Sequence, residues 1–467
     1  MPAYNGGVGF GEWIRGLLRL KRPRPEQRKL KQPVNTRDFA PWPEGGHLVG
    51  GAVRDALLDR PVADLDWLVP QPERAASLAA GLVNGAHFAL DERRGHWRLV
   101  TSSTIRDYIR LDGTLEDNLK QRDYTINSLA LSASGEIIDP LGGLADLAAG
   151  VLRMTGSAQL RADPVRLLRG VRLATDLRLT IEPETRSTML SLAQQHRDGS
   201  LPLPAWERSR GELDRIIGSD RAAAGLRLLD ELKLLDVYLP ELTAGRGVDQ
   251  GGFHHLDVLG HQIEAVEQLL RHFPLADLTL RWATLLHDIG KPGTAQVDLD
   301  APGRVRFHGH DREGSELARA IMQRLRQPSA RVERVAGLVR RHMQPLPADA
   351  QATGRFIHRY GELLPDLLSL MVADREAARG KLASEAGRKR YRVAVGRVLQ
   401  QLDATPPVPA TPLLSGDELM ELLDLEPGPR VGQAVRYLAE LQAVGDADTV
   451  EDAERHLREY ARVQWGS

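Results

Sequence analysis

The sequence predicts an α+β fold class, in which a small mixed head precedes a long helical body. Between about Gly46 and Gly150, short apolar runs are bounded by Gly, Pro or Asp, a pattern typical of strands. After Leu160 the apolar residues recur at helical spacing, and this pattern continues almost to the end of the chain. At 467 residues the chain is long enough for about three structural units, if each takes roughly 150 residues.

The composition excludes several classes of function. The formal net charge is −1, so any surface for nucleic acid must come from local clustering. Cysteine is absent, which excludes disulfides, thiolate metal ligands and a cysteine nucleophile. No apolar run approaches the ~20 residues needed to cross a bilayer, and charged residues interrupt the N-terminal stretch 11–20. We therefore expect a cytoplasmic protein with no membrane contact.

Two segments are distinguished by composition alone. The first forty residues form a basic extension rich in Arg, Lys and Pro, which predicts a solvated tail or, alternatively, an arm that contacts phosphates. Pro406 to Pro409 predicts a stiff linker.

The most informative pattern in the head is a pair of aspartates two residues apart. Asp64 and Asp66 begin an apolar strand, so their side chains point to the same face. Two carboxylates this close repel each other unless a cation lies between them. Mg²⁺ prefers a few carboxylates together with substrate phosphates, as phosphoryl transfer requires. The plain alternative is a surface turn with two solvated aspartates.

The surroundings of this pair resemble a known family. The stretches Gly50–Val69, Arg122–Ala130, Asp139–Gly143, Asp163–Arg169 and Pro412–Met420 resemble class II tRNA nucleotidyltransferases and bacterial poly(A) polymerases. The resemblance covers nearly the whole chain from Gly46 onward. It implies a polymerase-beta-type nucleotidyltransferase head followed by an all-helical neck, an HD domain and a helical tail.

The resemblance also implies site residues. Asp64 and Asp66 are expected to bind Mg²⁺, and Asp107, on a neighbouring strand, is the candidate third catalytic carboxylate. Further residues are expected to bind the nucleotide: Gly50, Gly51, Arg54, Arg122, Asp123, Asn127, Asp163, Arg166 and Arg169. Asp163 and Arg166 belong to the element that reads the incoming base in this family. An ordinary i, i+3 ion pair is the alternative for these two residues.

A departure from the family pattern bears on the nucleotide that is added. Full CCA-adding relatives carry a sizeable flexible loop between the third carboxylate and the Arg122 motif, and here that loop is missing. In this family a shortened loop is associated with enzymes that stop after two cytidines. We therefore expect CTP as the substrate, tRNA as the acceptor, and a separate A-adding enzyme as partner. Alternatives are a full CCA-adding enzyme that also uses ATP, an A-adding enzyme and a poly(A) polymerase.

A second constellation lies in the helical body. The adjacent pair His287-Asp288 ends an apolar helix, and the segment resembles the HD phosphohydrolase module. That resemblance implies His261, His287, Asp288 and Asp374 as ligands of a second divalent metal, for which Mn, Ni, Fe, Zn and Mg are candidates. His310 and His342 are expected to support this site or to bind a further ion. The implied chemistry is phosphoester hydrolysis, for instance of cyclic phosphates at RNA ends.

The expected domains run in chain order, and three classes of function remain open. We expect a basic extension (1–40), the head (41–155), a neck with the base-reading element (156–250), the HD domain (251–385) and a tail that binds tRNA (386–467). A nucleotidyltransferase is the first hypothesis and a metal-dependent phosphohydrolase of nucleotides or RNA ends is the second. A non-catalytic RNA-binding protein is disfavoured by the intact Asp64 and Asp66 pair.

Overall fold

The computed structural model describes residues 29–62, 64–297, 305–404, 412–443, 446–447 and 449–466. Most of the expected basic extension and the expected proline linker at 406–409 lie outside these residues. The described chain forms two compact units. One holds 29–243 together with 324–326, and the other holds the remainder from 244 onward.

The head is built on a seven-stranded sheet in the order β3-β4-β5-β2-β1-β6-β7. Strands β2 and β5 run parallel, and the other neighbouring pairs are antiparallel. The strands are β1 (His47–Val49), β2 (Asp64–Val69), β3 (Ala86–Asp91), β4 (His96–Val100), β5 (Ile105–Arg110), β6 (Ala130–Leu131) and β7 (Ile137–Ile138).

Four helices accompany this sheet. Helix α2 packs against β3, β4 and β5, and the sheet residues Leu48, Trp67, Leu99 and Tyr108 are fully buried. Because side chains alternate along a strand, burying Leu65 and Trp67 directs Asp64 and Asp66 to the opposite face. The helices are α1 (Gly51–Leu57), α2 (Pro72–Val83), α3 (Leu115–Lys120) and α4 (Gly143–Ala149), and short 3₁₀ turns lie at Thr36–Phe39 and Thr125–Asn127.

The neck completes the first unit and is almost entirely helical. Its long helix α6 buries an apolar stripe that includes Leu167, Leu168 and Val171, while arginines occupy the positions between them. The elements are β8 (Val151–Leu152), α5 (Ser157–Ala162), α6 (Val165–Asp176), β9 (Thr180–Ile181), α7 (Pro183–Arg197), α8 (Trp206–Gly218), α9 (Ala222–Glu231), α10 (Leu235–Tyr238) and α11 (Pro240–Thr243).

The second unit contains the HD region and the C-terminal helices. Helix α12 packs against α13 and α18 around a core that includes Trp282, Leu285 and Leu367. The elements are α12 (Val258–His272), α13 (Leu278–Leu286), α14 (Lys291–Thr294), β10 (Ala295–Val297), β11 (Val305–Phe307), α15 (His310–Arg324), α16 (Ser329–Arg341), α17 (Ala350–Tyr360), α18 (Leu364–Ala377), α19 (Glu385–Ala404), α20 (Gly416–Leu423), α21 (Pro429–Ala443) and α22 (Val450–Trp465).

This arrangement confirms the expected α+β class, with a mixed head followed by helices. A capping box at Ser415 begins α20, and the last three helices share a small core around Leu419, Leu438 and Leu457. In the part of the chain that is described, no helix combines the length and apolarity required to cross a membrane.

Candidate active site

Three carboxylates share one face of the head sheet. Asp64 and Asp66 lie on β2, and Asp107 on β5 is the direct cross-strand partner of Asp66. Asp64 is exposed and Asp66 is half-buried. Burial raises the pKa of Asp66, and the nearby charges of Asp107 and Asp64 add to the shift, while Arg122 opposes it. A divalent cation at this face would relieve that repulsion.

Arg98, which the sequence analysis did not identify, pairs with the third carboxylate, Asp107. Arg98 on β4 is the cross-strand partner of Asp107, and its Nε and Nη2 each donate to one carboxylate oxygen at 2.7 Å. His96 Nε2 lies 3.6 Å from the same carboxylate. In the described chain, the oxygens of the three aspartates do not all come within 4.8 Å of one another. Asp107 is therefore paired with Arg98, on the same face of the sheet as Asp64 and Asp66.

Gly50, which directly precedes α1, allows an arginine to approach the backbone closely. Gly50 has φ +74°, and a Cβ at this position would lie 2.6 Å from Nη1 of Arg122. Only glycine meets both demands without strain. Burial lowers the pKa of Arg122, and Asp66 and Asp123 oppose that shift. Gly50 thus makes room for a guanidinium beside the carboxylate face.

A continuous polar network links α1 to the neck. Arg54 donates to both oxygens of Asp55 at 3.0 and 2.8 Å, and its Nη1 donates to Oδ1 of Asn127. Because Asn127 accepts there, its amide nitrogen is oriented toward Asp123, to which it donates at 2.9 Å. Arg169 donates to the other oxygen of Asp123 at 3.0 Å. Burial disfavours the charge of Asp123, but Arg169 and Asn127 hold its pKa below the ordinary value.

Glu212 on α8 anchors two neck arginines, and no local pattern in the sequence indicates this role. Its carboxylate is buried and accepts from Nε of Arg169 at 3.1 Å and from Nε of Arg172 at 2.7 Å. Burial alone would raise the pKa of Glu212, but the two guanidinium groups lower it below the ordinary value. Glu212 therefore fixes Arg169 between two carboxylates.

One cavity of about 750 Å³ brings these groups together. The expected site residues in its wall are Gly51, Arg54, Asp64, Asp66, Arg122, Asp123, Asn127, Arg166 and Arg169. Gly50 and Asp107 lie next to lining residues but outside the wall itself. The wall thus combines carboxylates that can hold a metal with guanidinium groups that can bind phosphate oxygens.

Asp163 and Arg166, the expected base-reading pair, each have further partners besides each other. Nε of Arg166 lies 3.8 Å from Asp163, and its Nη1 donates to the backbone carbonyls of Gln121 and Gln159, each at 3.1 Å. Asp163 accepts from Arg208 at 2.7 Å and does not line the cavity. The structure therefore brings Arg166 to the cavity and leaves Asp163 paired outside it.

The four residues of the expected HD site meet in the second unit. His261, His287, Asp288 and Asp374 place one ligand atom each within 4.8 Å of one another. Nδ1 of His287 donates to the carbonyl of Thr284 at 2.8 Å, so Nε2 is the ring nitrogen directed toward the cluster. That buried Nε2 lies 3.1 Å from a carboxylate oxygen of Asp288 and 3.6 Å from one of Asp374. Burial opposes a charge on His287, yet Asp288 and Asp374 raise its pKa to about 10, so the cluster attracts a cation.

A second set of ligands shares Asp288. His310 and His342 place Nε2 at 3.4 and 3.6 Å from Oδ1 of Asp288. In both residues Nδ1 faces a backbone carbonyl at 2.7 Å, which again leaves Nε2 as the ligand atom. Lys291 Nζ contacts the other oxygen of Asp288 at 2.6 Å. The donor set of nitrogen and carboxylate oxygen fits a transition metal better than Mg²⁺.

Three family profiles match successive parts of the chain. The family profile described as "Poly A polymerase head domain" matches residues 86–153. The profile "Probable RNA and SrmB- binding site of polymerase A" matches 178–245, and the HD domain profile matches 258–379. A crystal structure titled as the Bacillus stearothermophilus CCA-adding enzyme in complex with CTP has a TM-score of 0.63 at 21% identity, covering 93% of this chain and 99% of that chain. The fold and the site together define a nucleotidyltransferase with a polymerase-type head and an HD domain.

Curated relatives identify the family. The A-adding tRNA nucleotidyltransferase of Deinococcus radiodurans is 51% identical over 91% of this chain and 98% of its own length. The CC-adding tRNA nucleotidyltransferase of Thermus thermophilus is 45% identical over 89% of this chain and 93% of its own length. A multifunctional CCA protein of Neisseria meningitidis is 36% identical over 60% of this chain and 68% of its own length. The chain belongs to the tRNA nucleotidyltransferase family.

Proposed function

We propose that the head adds nucleotides to the 3′ end of tRNA with Mg²⁺ held by Asp64 and Asp66. The observation that carries this proposal is the cavity in which these two carboxylates face Arg54, Arg122 and Asn127. A bound Mg²⁺ would supply charge neutralisation for the triphosphate and for the attacking hydroxyl.

The residues of this chain would then position the substrates. Arg54 and Arg122 would bind triphosphate oxygens, because planar guanidinium groups fit them well, and the Gly50-Gly51 backbone would allow close approach. Asn127 and Asp123 would hold the ribose by hydrogen bonds. Arg166 and Arg169 would face the base, and Asp107 would support the carboxylate face through its pair with Arg98. We assign these roles to the head (41–155) and neck (156–250), and tRNA binding to the tail (386–467).

We further propose that addition stops after two cytidines, so that CTP is the substrate and a separate enzyme adds the adenosine. Support comes from the connection between β5 and α3, which spans residues 111–114 alone. The family resemblance associates a shortened loop at this place with CC-adding enzymes. A loop of four residues is too short to reshape the pocket for a second base.

An A-adding enzyme that uses ATP is the second candidate, and a specific observation favours it. The A-adding relative has the higher identity, 51% against 45% for the CC-adding relative. Both relatives align with about nine-tenths of the chain, whereas the multifunctional protein aligns with 60%. The higher identity to the A-adding relative is what supports this second candidate.

Three tRNA transcripts test the specificity. They end before CCA, after C and after CC, and each receives CTP and ATP separately and together. The proposal expects up to two cytidines on the first transcript, one on the second and nothing on the third. AMP added only to the transcript ending in CC would establish the second candidate. All three nucleotides added in order would overturn both.

We also propose that the HD domain (251–385) is a metal-dependent phosphohydrolase. The shared ligand Asp288, with histidine Nε2 atoms on both sides, supports binding of a divalent transition metal. Metal analysis of the purified protein should find such an ion at a ratio that falls in a His287→Ala variant. Hydrolysis of a 2′,3′-cyclic nucleotide should fall with it, and an unchanged metal content would contradict the assignment.

A further inference from the structure

The second unit contains a cavity of about 580 Å³ that is separate from the HD cluster. Its wall is formed by the ends of α16 and α17, by one face of α21, and by Tyr460 on α22. Gln433, Arg436, Tyr437 and Glu440 are spaced i, i+3, i+4 and i+7, so α21 presents them on one face. The volume lies within the range of small-ligand sites.

The charge in this wall is strongly positive. Four arginines line it against a single glutamate: Arg340, Arg341, Arg359 and Arg436 against Glu440. Glu440 is saturated by Arg359, which contacts its two oxygens at 2.6 to 2.8 Å. Within the residues that the structure covers, no carboxylate pairs with Arg341 or Arg436. Two guanidinium groups are thus available for an anionic ligand.

The cavity also has an aromatic wall. Tyr437 and Tyr460 stack with ring centroids 4.2 Å apart and an angle of 18° between the rings. Tyr360 lines the same cavity, and its hydroxyl faces Oε1 of Gln344 at 3.1 Å. Aromatic rings beside guanidinium groups are the surface on which unpaired bases stack, whatever their sequence.

The amide groups of the wall are oriented as donors. The indole Nε1 of Trp465 can only donate, so its partner in Gln433 at 3.1 Å is the oxygen, and the amide NH₂ remains free to donate elsewhere. Together with the arginines, the wall offers donors and few free acceptors. A ligand rich in acceptors and carrying a flat ring matches this wall.

We propose that this cavity binds an unpaired nucleotide of an RNA, with its phosphate on Arg341 and Arg436 and its base against the tyrosines. The proposal rests on the proposed function only in taking tRNA as the natural RNA. The proposed site lies where the HD helices meet the tail helices, and its wall contains none of the residues of the two metal clusters.

Binding without nucleotides tests this proposal separately from catalysis. The full-length protein is titrated against a labelled tRNA transcript lacking CCA, at several salt concentrations. The double variant Arg341→Ala/Arg436→Ala should bind at least tenfold more weakly near 0.1 M salt, with a salt slope reduced by about 0.7 for each lost phosphate contact. The charge-matched control is Arg458→Ala/Arg462→Ala on α22, outside the cavity, which should stay within about twofold. Equal losses in both variants would overturn the proposal.

Two further probes identify the ligand. The cavity variant should bind a single-stranded RNA of roughly twelve nucleotides more weakly than the wild type does. Its affinity for a blunt RNA duplex should equal that of the control variant. A cavity-specific loss with the duplex would overturn the unpaired-base assignment. Displacement of the RNA from the wild type, but not from the cavity variant, by free CMP or AMP would show a free nucleotide as the ligand and contradict the proposal. Loss of RNA binding without loss of extension on saturating tRNA would separate this site from the transferase.

Discussion

Replacing Glu212 by Gln should weaken both the neck and the nucleotide site. The buried carboxylate accepts hydrogen bonds from Arg169 at 3.1 Å and Arg172 at 2.7 Å. An amide keeps the shape but removes the charge and one of the two acceptors, because its nitrogen can only donate. A charge-assisted hydrogen bond is worth about 1–1.5 kcal/mol more than a neutral one. One bond weakened by this amount and one lost outright, at about 1.5–3 kcal/mol, give about 2.5–4.5 kcal/mol. Because the Arg169 side chain is 35% exposed, solvent screening reduces this to about 2–3 kcal/mol.

The pH dependence of this effect has a definite sign. The pKa of Glu212 is lowered on folding, so its contribution is fully present above its unfolded pKa of about 4.5. That contribution is lost as the pH falls through the lower folded pKa. The stability difference between wild type and Glu212→Gln should therefore be largest at neutral pH and shrink below about pH 4.

Urea unfolding of the first unit, followed at pH 7 and in steps down to pH 3.5 or so, measures this difference. The control is Glu231→Gln, whose partner Arg186 lies at 3.0 Å on an exposed surface; it should change stability by less than about 0.5 kcal/mol. Because Arg169 would lose one of its two anchors, we also expect the KM for the nucleotide to rise about tenfold with a smaller change in kcat. A Glu212→Gln variant as stable as the wild type, or a difference independent of pH, would refute this reasoning.

Three further predictions follow from the head and HD geometry. Gly50→Ala combines a positive φ with a Cβ 2.6 Å from Arg122, so it should lower the free energy of unfolding by about 1–3 kcal/mol and raise the KM for the nucleotide. The control is Gly142→Ala, which has φ +73° and open space around it and should show the backbone cost alone. Arg98→Ala releases both oxygens of Asp107 and should lower the Mg²⁺ concentration for half-maximal extension about threefold or more; a higher requirement would show that Arg98 instead orients Asp107. His342→Ala should disrupt the second set of candidate ligands, which consists of Asp288, His310 and His342. Metal titration of the purified protein should then find about one ion fewer or a weaker second binding step, while tRNA extension is unchanged.

Local patterns predicted the carboxylate face, because strand alternation alone directs Asp64 and Asp66 to one side. Asp107 lies on the strand beside β2, as expected, because β5 pairs with β2 in register; its catalytic role stays a prediction. Arg98 and Glu212 were missed because their roles depend on cross-strand and interhelical neighbours that are distant in sequence. For Asp163, the i, i+3 partner Arg166 competes with Arg208, forty-five residues away, and the distant arginine makes the shorter contact.

The same limit applies to the HD region and the tail. The His-Asp pair at the end of an apolar helix indicated a metal site, and His310 and His342 were expected to support it or to bind a further ion. That they meet at Asp288 depends on the packing of separate helices. The stacking of Tyr437 on Tyr460 likewise arises only when α21 and α22 pack together. Spacing within one element can be read from the sequence, whereas contacts between elements require the fold.

The most direct test of the central claim compares extension and hydrolysis in two matched variants. Asp66→Asn and Asp288→Asn each remove one charge from a different metal site, and both are assayed on a tRNA transcript lacking CCA and on a 2′,3′-cyclic nucleotide. We expect Asp66→Asn to lower extension by about a thousandfold or more and to leave hydrolysis intact, while Asp288→Asn does the reverse. Extension that survives in Asp66→Asn, or that fails in Asp288→Asn alone, would contradict the assignment of the transferase to the head.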